Sequence, residues 1–145
     1  ARGFDIVTGG TDLPLLIVSL VSKGLTGDAA SRSLEAAGLP CNMNLIPFDT
    51  KKPTVTSGLR LGTSGVTVRG VRADEMRNIG DLVADVLEGL AANSKDNSAV
   101  EATVYKMVVE LCRQYPIYAE GSLFAAPGAS PNQAKRSALL IPQQG

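Results

Sequence analysis

The sequence predicts an α/β fold: a small, mostly antiparallel sheet with helices packed on one face. Three observations carry that prediction. Short β-prone runs stand between Gly- and Pro-rich turns; they are Phe4–Thr8, Leu15–Leu20 and Leu59–Leu61. Three longer segments repeat apolar residues at the 3.6-residue spacing of an amphipathic helix. The order strand, strand, helix, strand, loop, strand, helix, helix then favours a layer of helices over a sheet.

Taken in order, Phe4–Thr8 reads as a strand closed by Gly9 and Gly10. Leu15–Leu20 (LLIVSL) is a continuous apolar run, which predicts a buried central strand paired with the first. Thr26 is a good N-cap for a helix to about Ala37, with Ala30, Leu34 and Ala37 on its apolar stripe and Gly38 as its stop. Leu39–Ile46 returns as an extended segment, and Pro47–Pro53 (PFDTKKP) is a polar, Pro-bounded surface loop. Leu59, Arg60 and Leu61 alternate apolar, charged, apolar, and Val66–Val68 resumes as a second β-prone run. Met76 to Leu90 traces a strong helical stripe. Ser98 and Glu101 form a capping-box pattern ahead of another stripe, which Pro116 ends. Residues 1–119 read as one domain, and residues 120–145, rich in small residues, Pro and Gln, as an extended tail.

The chain has 145 residues, 14 basic and 14 acidic, for a formal charge of zero, so no electrostatic footprint suits nucleic acid or an anionic membrane. Cys41 and Cys112 fit no metal or redox spacing, which suggests a reduced, cytoplasmic setting. The absence of histidine removes the commonest base and every His-ligated metal site. The chain alone therefore presents no catalytic residue and no metal site. It starts at Ala1 without an initiator Met, which predicts a fragment of a longer chain.

Arg60 is the candidate binding residue. A guanidinium between two core-facing leucines, beside the Gly62–Gly65 bend, can offer a planar fork of donors to a small carboxylate. On spacing alone, an Arg on a solvated strand face is the commoner outcome. Asn44 similarly reads by itself as a residue capping its own turn.

TSGLRLGT at Thr56–Thr63 resembles a motif near the C-terminal end of serine hydroxymethyltransferases. RGFDIVTGGTD, KGLTGD and CNMNLIPFDTKKPTVTSG resemble further segments of that family, in its order and spacing, over roughly Arg2–Ala119. The resemblance implies the C-terminal small domain of a fold type I pyridoxal-phosphate enzyme. Such an enzyme moves a hydroxymethyl group from serine to tetrahydrofolate, giving glycine and methylene-tetrahydrofolate. It further implies that Arg60 binds the substrate carboxylate and that Asn44 lies near the folate.

By the same resemblance, pyridoxal phosphate is held mainly by a large N-terminal domain, tetrahydrofolate is the co-substrate, and the enzyme is a homodimer or homotetramer. None of Lys23, Lys51, Lys52, Lys95, Lys106 and Lys135 has the family's Schiff-base context, so the fragment alone is expected to be inactive. Two departures stand out: Leu13-Pro14 where the family has Asn-His, and Ser64-Gly65 where it has Pro-Ala. The second is compatible with a 2-methylserine-like substrate. A non-catalytic assembly module and an amino-acid-binding module remain the alternatives from other classes.

Overall fold

The computed structural model describes residues 2–117. The expected tail at 120–145 lies outside the described residues. Four strands, β1 (Asp5–Ile6), β2 (Leu15–Ser19), β3 (Asn42–Asn44) and β4 (Gly58–Gly62), form one sheet in the order β1-β2-β4-β3. All three pairings are antiparallel, so β2 and β3 run parallel with β4 inserted between them. The helix α1 (Gly27–Ala36) connects β2 to β3, which makes a split β-α-β unit.

Helix α1 forms where its caps require it. The Thr26 hydroxyl accepts from Ala29 N at 3.3 Å. At the other end Gly38 sits at φ 77°, with Gly38 N donating to Glu35 O and Leu39 N to Leu34 O at 2.8 Å. This 5→2 and 6→1 pair is a Schellman stop, and glycine supplies the left-handed residue it needs.

Helices α3 (Ala73–Ala92) and α4 (Ser98–Gln114) pack on α1 and on each other. Leu20, Leu34, Leu59 and Val86 are fully buried between the helices and one sheet face. One polar node joins the three helices. Asn97 Nδ2 donates to Ser33 Oγ at 3.0 Å and Val86 O at 2.9 Å, and Ser33 Oγ donates to Glu101 Oε1 at 2.5 Å. Arg2 pairs with Asp85 at 2.7 Å and Glu88 at 2.5 Å, tying the chain leading into β1 onto α3.

Three expectations need correction. Val66–Val68 is not a strand but part of the short helix α2 (Ser64–Val68). The reason lies in the neighbouring strand. β2 begins at Leu15, opposite Gly62, and Thr63 N already takes the Pro14 carbonyl at 2.9 Å. Pro14 has no N–H to return, so the ladder stops and the chain turns away. Second, β2 is central but buried on one face only: Val18 is buried, whereas Leu15 is exposed and Ile17 half-buried. Third, the capping box at Ser98 does not form. Asn97 is the N-cap, and Glu101 takes the Ser33 hydroxyl instead.

Candidate functional site

Strand register places the two candidate residues together. Arg60 lies opposite Ile17 on one side and Asn42 on the other, and Asn44 lies opposite Gly58, one alternation along. Opposed residues share a face and every second residue returns to it. Arg60, Asn44, Ile17 and Asn42 therefore share the face that α1, α3 and α4 leave uncovered, while Leu59 and Val18 point into the core. Arg60 is exposed, and among the described residues it enters no salt bridge. Its guanidinium is thus available to an anion. Asn44 is half-buried, and its Nδ2 donates to Leu45 O at 2.6 Å, the local turn contact its sequence position suggests.

The loop between Asn44 and Gly58 is organised by Asp49, which sequence reasoning left as one member of a polar loop. Its Oδ1 accepts from Lys51 N at 2.9 Å and Ser57 Oγ at 2.7 Å. Its Oδ2 accepts from Ser57 N at 2.8 Å and Ile46 N at 3.3 Å. Desolvation pushes this carboxyl upward, but the hydrogen bonds from Lys51, Ser57 and Ile46 together outweigh it and hold the pKa at about 2. An Asp within a Pro-bounded stretch is a known turn former, and that signal could have singled it out.

Two non-glycine residues in this loop adopt left-handed backbone: Phe48 at φ 60° and Thr56 at φ 53°. Thr56 is the costlier, because a β-branched side chain disfavours that region. It is held there by its surroundings. Thr56 N donates to Lys52 O at 3.0 Å, and Thr56 O accepts from Gly27 N at 3.1 Å. A Cβ on Gly27 would come within 2.0 Å of Thr56 Oγ1, so only glycine lets α1 approach this turn. Phe48, by contrast, stands wholly exposed.

A cavity of about 650 Å³ opens in the β1–β2 hairpin and includes Leu15 and Ile17, on the Arg60 face. Leu13, one of the departures noted above, stands exposed on its rim. The Ser64-Gly65 departure falls in the first turn of α2, where a Cβ on Gly65 would meet nothing within 4 Å. A second groove of about 450 Å³, lined by Leu61, Val66, Met76, Ile79, Leu111 and Tyr115, is largely apolar.

Arg69 is half-buried. Its Nε donates to Tyr115 O at 2.6 Å and its guanidinium to Cys112 O at 3.2 Å, closing the end of α4.

None of the described lysines is buried. Lys23 Nζ donates to Arg2 O at 3.0 Å and lies 4.7 Å over the Phe4 ring. Lys51, Lys52, Lys95 and Lys106 are exposed. Burial pushes the Cys41 thiol up to about 11, with the Glu35 charge adding to it, so this sulfur stays protonated and unreactive. The described residues contain no cluster of acidic and sulfur ligands fit for a metal ion, and no helix among them is long and apolar enough to cross a membrane.

A family model for serine hydroxymethyltransferase matches residues 1–83. A protein named serine hydroxymethyltransferase from Paramagnetospirillum magneticum is 58% identical over 117 residues, 81% of this chain and 27% of its own length. One of that name from Marinomonas sp. is 54% identical over 81% of this chain and 28% of its own. Serine hydroxymethyltransferase 3 of Colwellia psychrerythraea is 53% identical over 81% of this chain and 27% of its own. The chain thus spans little more than a quarter of the length of these relatives. It belongs to the serine hydroxymethyltransferase family.

Proposed function

We propose that this chain is the small domain of a pyridoxal-phosphate-dependent serine hydroxymethyltransferase of fold type I. The reaction moves a hydroxymethyl group from serine to tetrahydrofolate. The observation that carries the reading is Arg60: an exposed guanidinium with no salt bridge among the described residues, on the same uncovered face as Asn44. In this role Arg60 grips the amino-acid carboxylate through two parallel hydrogen bonds, and Asn44 forms part of the folate wall.

The chain's own residues bind and orient; they do not move protons. Pyridoxal phosphate, held by the large domain outside this chain, supplies the electron sink when bound. The uncovered Arg60 face is where that domain and the substrates would meet this one. The whole enzyme is proposed to be a cytoplasmic homodimer or homotetramer.

The test is Arg60→Lys in the full-length enzyme, with glycine affinity measured by calorimetry. Lysine keeps the charge and loses the fork. Partly unpairing a bound carboxylate should weaken glycine binding by about tenfold to a few hundredfold. Thermal unfolding should barely move, because Arg60 is exposed and outside the core. Unchanged glycine affinity would refute the clamp.

A further inference from the structure

We propose that Asp49 is the positioning residue of this site: it locks the turn entering β4 and thereby fixes Arg60 relative to Asn44. The inference rests on the reading of Arg60 as the carboxylate clamp. Asn44 ends β3, Gly58 starts β4, and the two are paired, so the whole loop between them must close on itself. Asp49 closes it. Its four hydrogen bonds reach the amide of Ile46, two residues past Asn44, the amide of Lys51, and both the amide and the hydroxyl of Ser57, three residues before Arg60.

The stoichiometry of those bonds decides what Asp49 can do. An ionised carboxylate has about four acceptor sites. Each Asp49 oxygen already accepts two bonds from this loop, so neither has capacity for a substrate proton or a metal ion. Its action is therefore inward, on the backbone. Ser57 directly follows Thr56, whose left-handed backbone turns the chain into β4. A residue held in a sparsely populated region persists only where its surroundings over-determine it. Anchoring Ser57 by two bonds, with the Gly27 amide on the Thr56 carbonyl, supplies that constraint after Thr56, and the bond from the Thr56 amide to Lys52 O supplies it before. Released from Asp49, the turn can relax, and the start of β4 moves with it. Bidentate recognition tolerates little such movement.

Asn cannot replace Asp49. In place of Oδ2 an NH₂ would face the Ser57 and Ile46 amides, both donors; in place of Oδ1 it would face the Lys51 amide, again a donor, with only the rotatable Ser57 hydroxyl able to turn and accept.

The test uses the full-length enzyme with Asp49→Ala, Ser57→Ala, Arg60→Lys and the double variant Asp49→Ala/Arg60→Lys. Glycine affinity is read by calorimetry well below each melting temperature, and amide exchange is followed over residues 55–60. Asp49→Ala is expected to weaken glycine roughly ten- to a hundredfold and to speed exchange at Ser57. The double variant should bind glycine no more weakly than Arg60→Lys alone by more than about twofold, because one residue acts through the other. If Asp49→Ala binds glycine like the parent, or if the two effects simply add, the positioning role is overturned. If Asp49→Ala does not fold, Ser57→Ala decides, since it removes one of the four bonds; an unchanged glycine affinity there overturns the proposal. A parent-like Arg60→Lys would instead refute the clamp itself, and the positioning role with it.

Discussion

The same substitution, Gly→Ala, should act with opposite sign at two helical positions of this chain. Gly27 is the first residue of α1 and is buried. An added Cβ would lie 2.0 Å from Thr56 Oγ1, 2.6 Å from Gly58 O and 3.1 Å from the Met43 side chain. The Gly58 carbonyl belongs to the β4 backbone and cannot swing away alone, so the helix or the strand must shift. Forced overpacking of this kind costs about 1–3 kcal/mol. Alanine's better helix propensity offsets only a fraction of that at a first-turn position. Gly80 lies inside α3, is exposed, and a Cβ there would meet nothing within 4 Å. Alanine at that position should stabilise by about 0.5–1 kcal/mol, through reduced backbone freedom in the unfolded chain. Scanning calorimetry of the full-length protein reads both. Gly27→Ala should also weaken glycine binding, since the displaced atoms lead into Arg60, whereas Gly80→Ala should leave it alone. A Gly27→Ala variant that melts with the parent and binds glycine normally would refute the close-approach argument.

Three further outcomes follow from the same geometry. The folded-state pKa of Asp49 is about 2, below the ordinary 3.8, so its contribution to stability is complete above about pH 4 and is lost as pH falls from there towards 2. Acid unfolding of Asp49→Asn should lack that segment of the curve, and parallel curves would count against the hydrogen-bond cause. Arg69→Lys should lower the melting temperature, because one ammonium cannot span the Tyr115 and Cys112 carbonyls, at about 0.5–1.5 kcal/mol per lost bond; the exposed Arg72→Lys is the comparison and should stay within about 0.5 kcal/mol. Asn97→Ala strips the Val86 carbonyl and the Ser33 hydroxyl of a donor in a buried node, costing about 1–3 kcal/mol by denaturant unfolding, with no change in glycine affinity.

How much of this was legible in the sequence depended on whether the cause was local. Helix α1 was readable because Thr26 and Gly38 each act within one turn of themselves. The long stripe of α3 was readable because its burial follows its own periodicity. Val66–Val68 misled because β-branched propensity speaks for a strand, while the outcome was decided by where β2 begins and by a proline 52 to 54 residues away. Glu101 misled for a similar reason. Its local role as a capping-box partner lost to the hydroxyl of Ser33, a contact across 68 residues.

The site divides along the same line, and that division explains why resemblance was needed to weigh Arg60. Alternation alone correctly put Arg60 opposite the leucines, but it leaves an anion clamp and an idle surface arginine identical. What separates them is the company on that face. Asn44 comes from β3, fourteen residues before Gly58, and shares the face through the antiparallel β3–β4 pairing. A simple β3–β4 hairpin would also bring them close, but it would leave Ile17 and the β1–β2 cavity on no common surface with Arg60. The inserted order puts cation, amide and cavity on one side, while α1, α3 and α4 fill the other with Leu59, Leu20 and Leu34. A sheet that the described residues cover on one face only has an apolar rim to hide, and Leu13, Leu15 and Phe48 are exposed here. The sheet face that the described helices leave bare is therefore the same face on which we propose the binding groups.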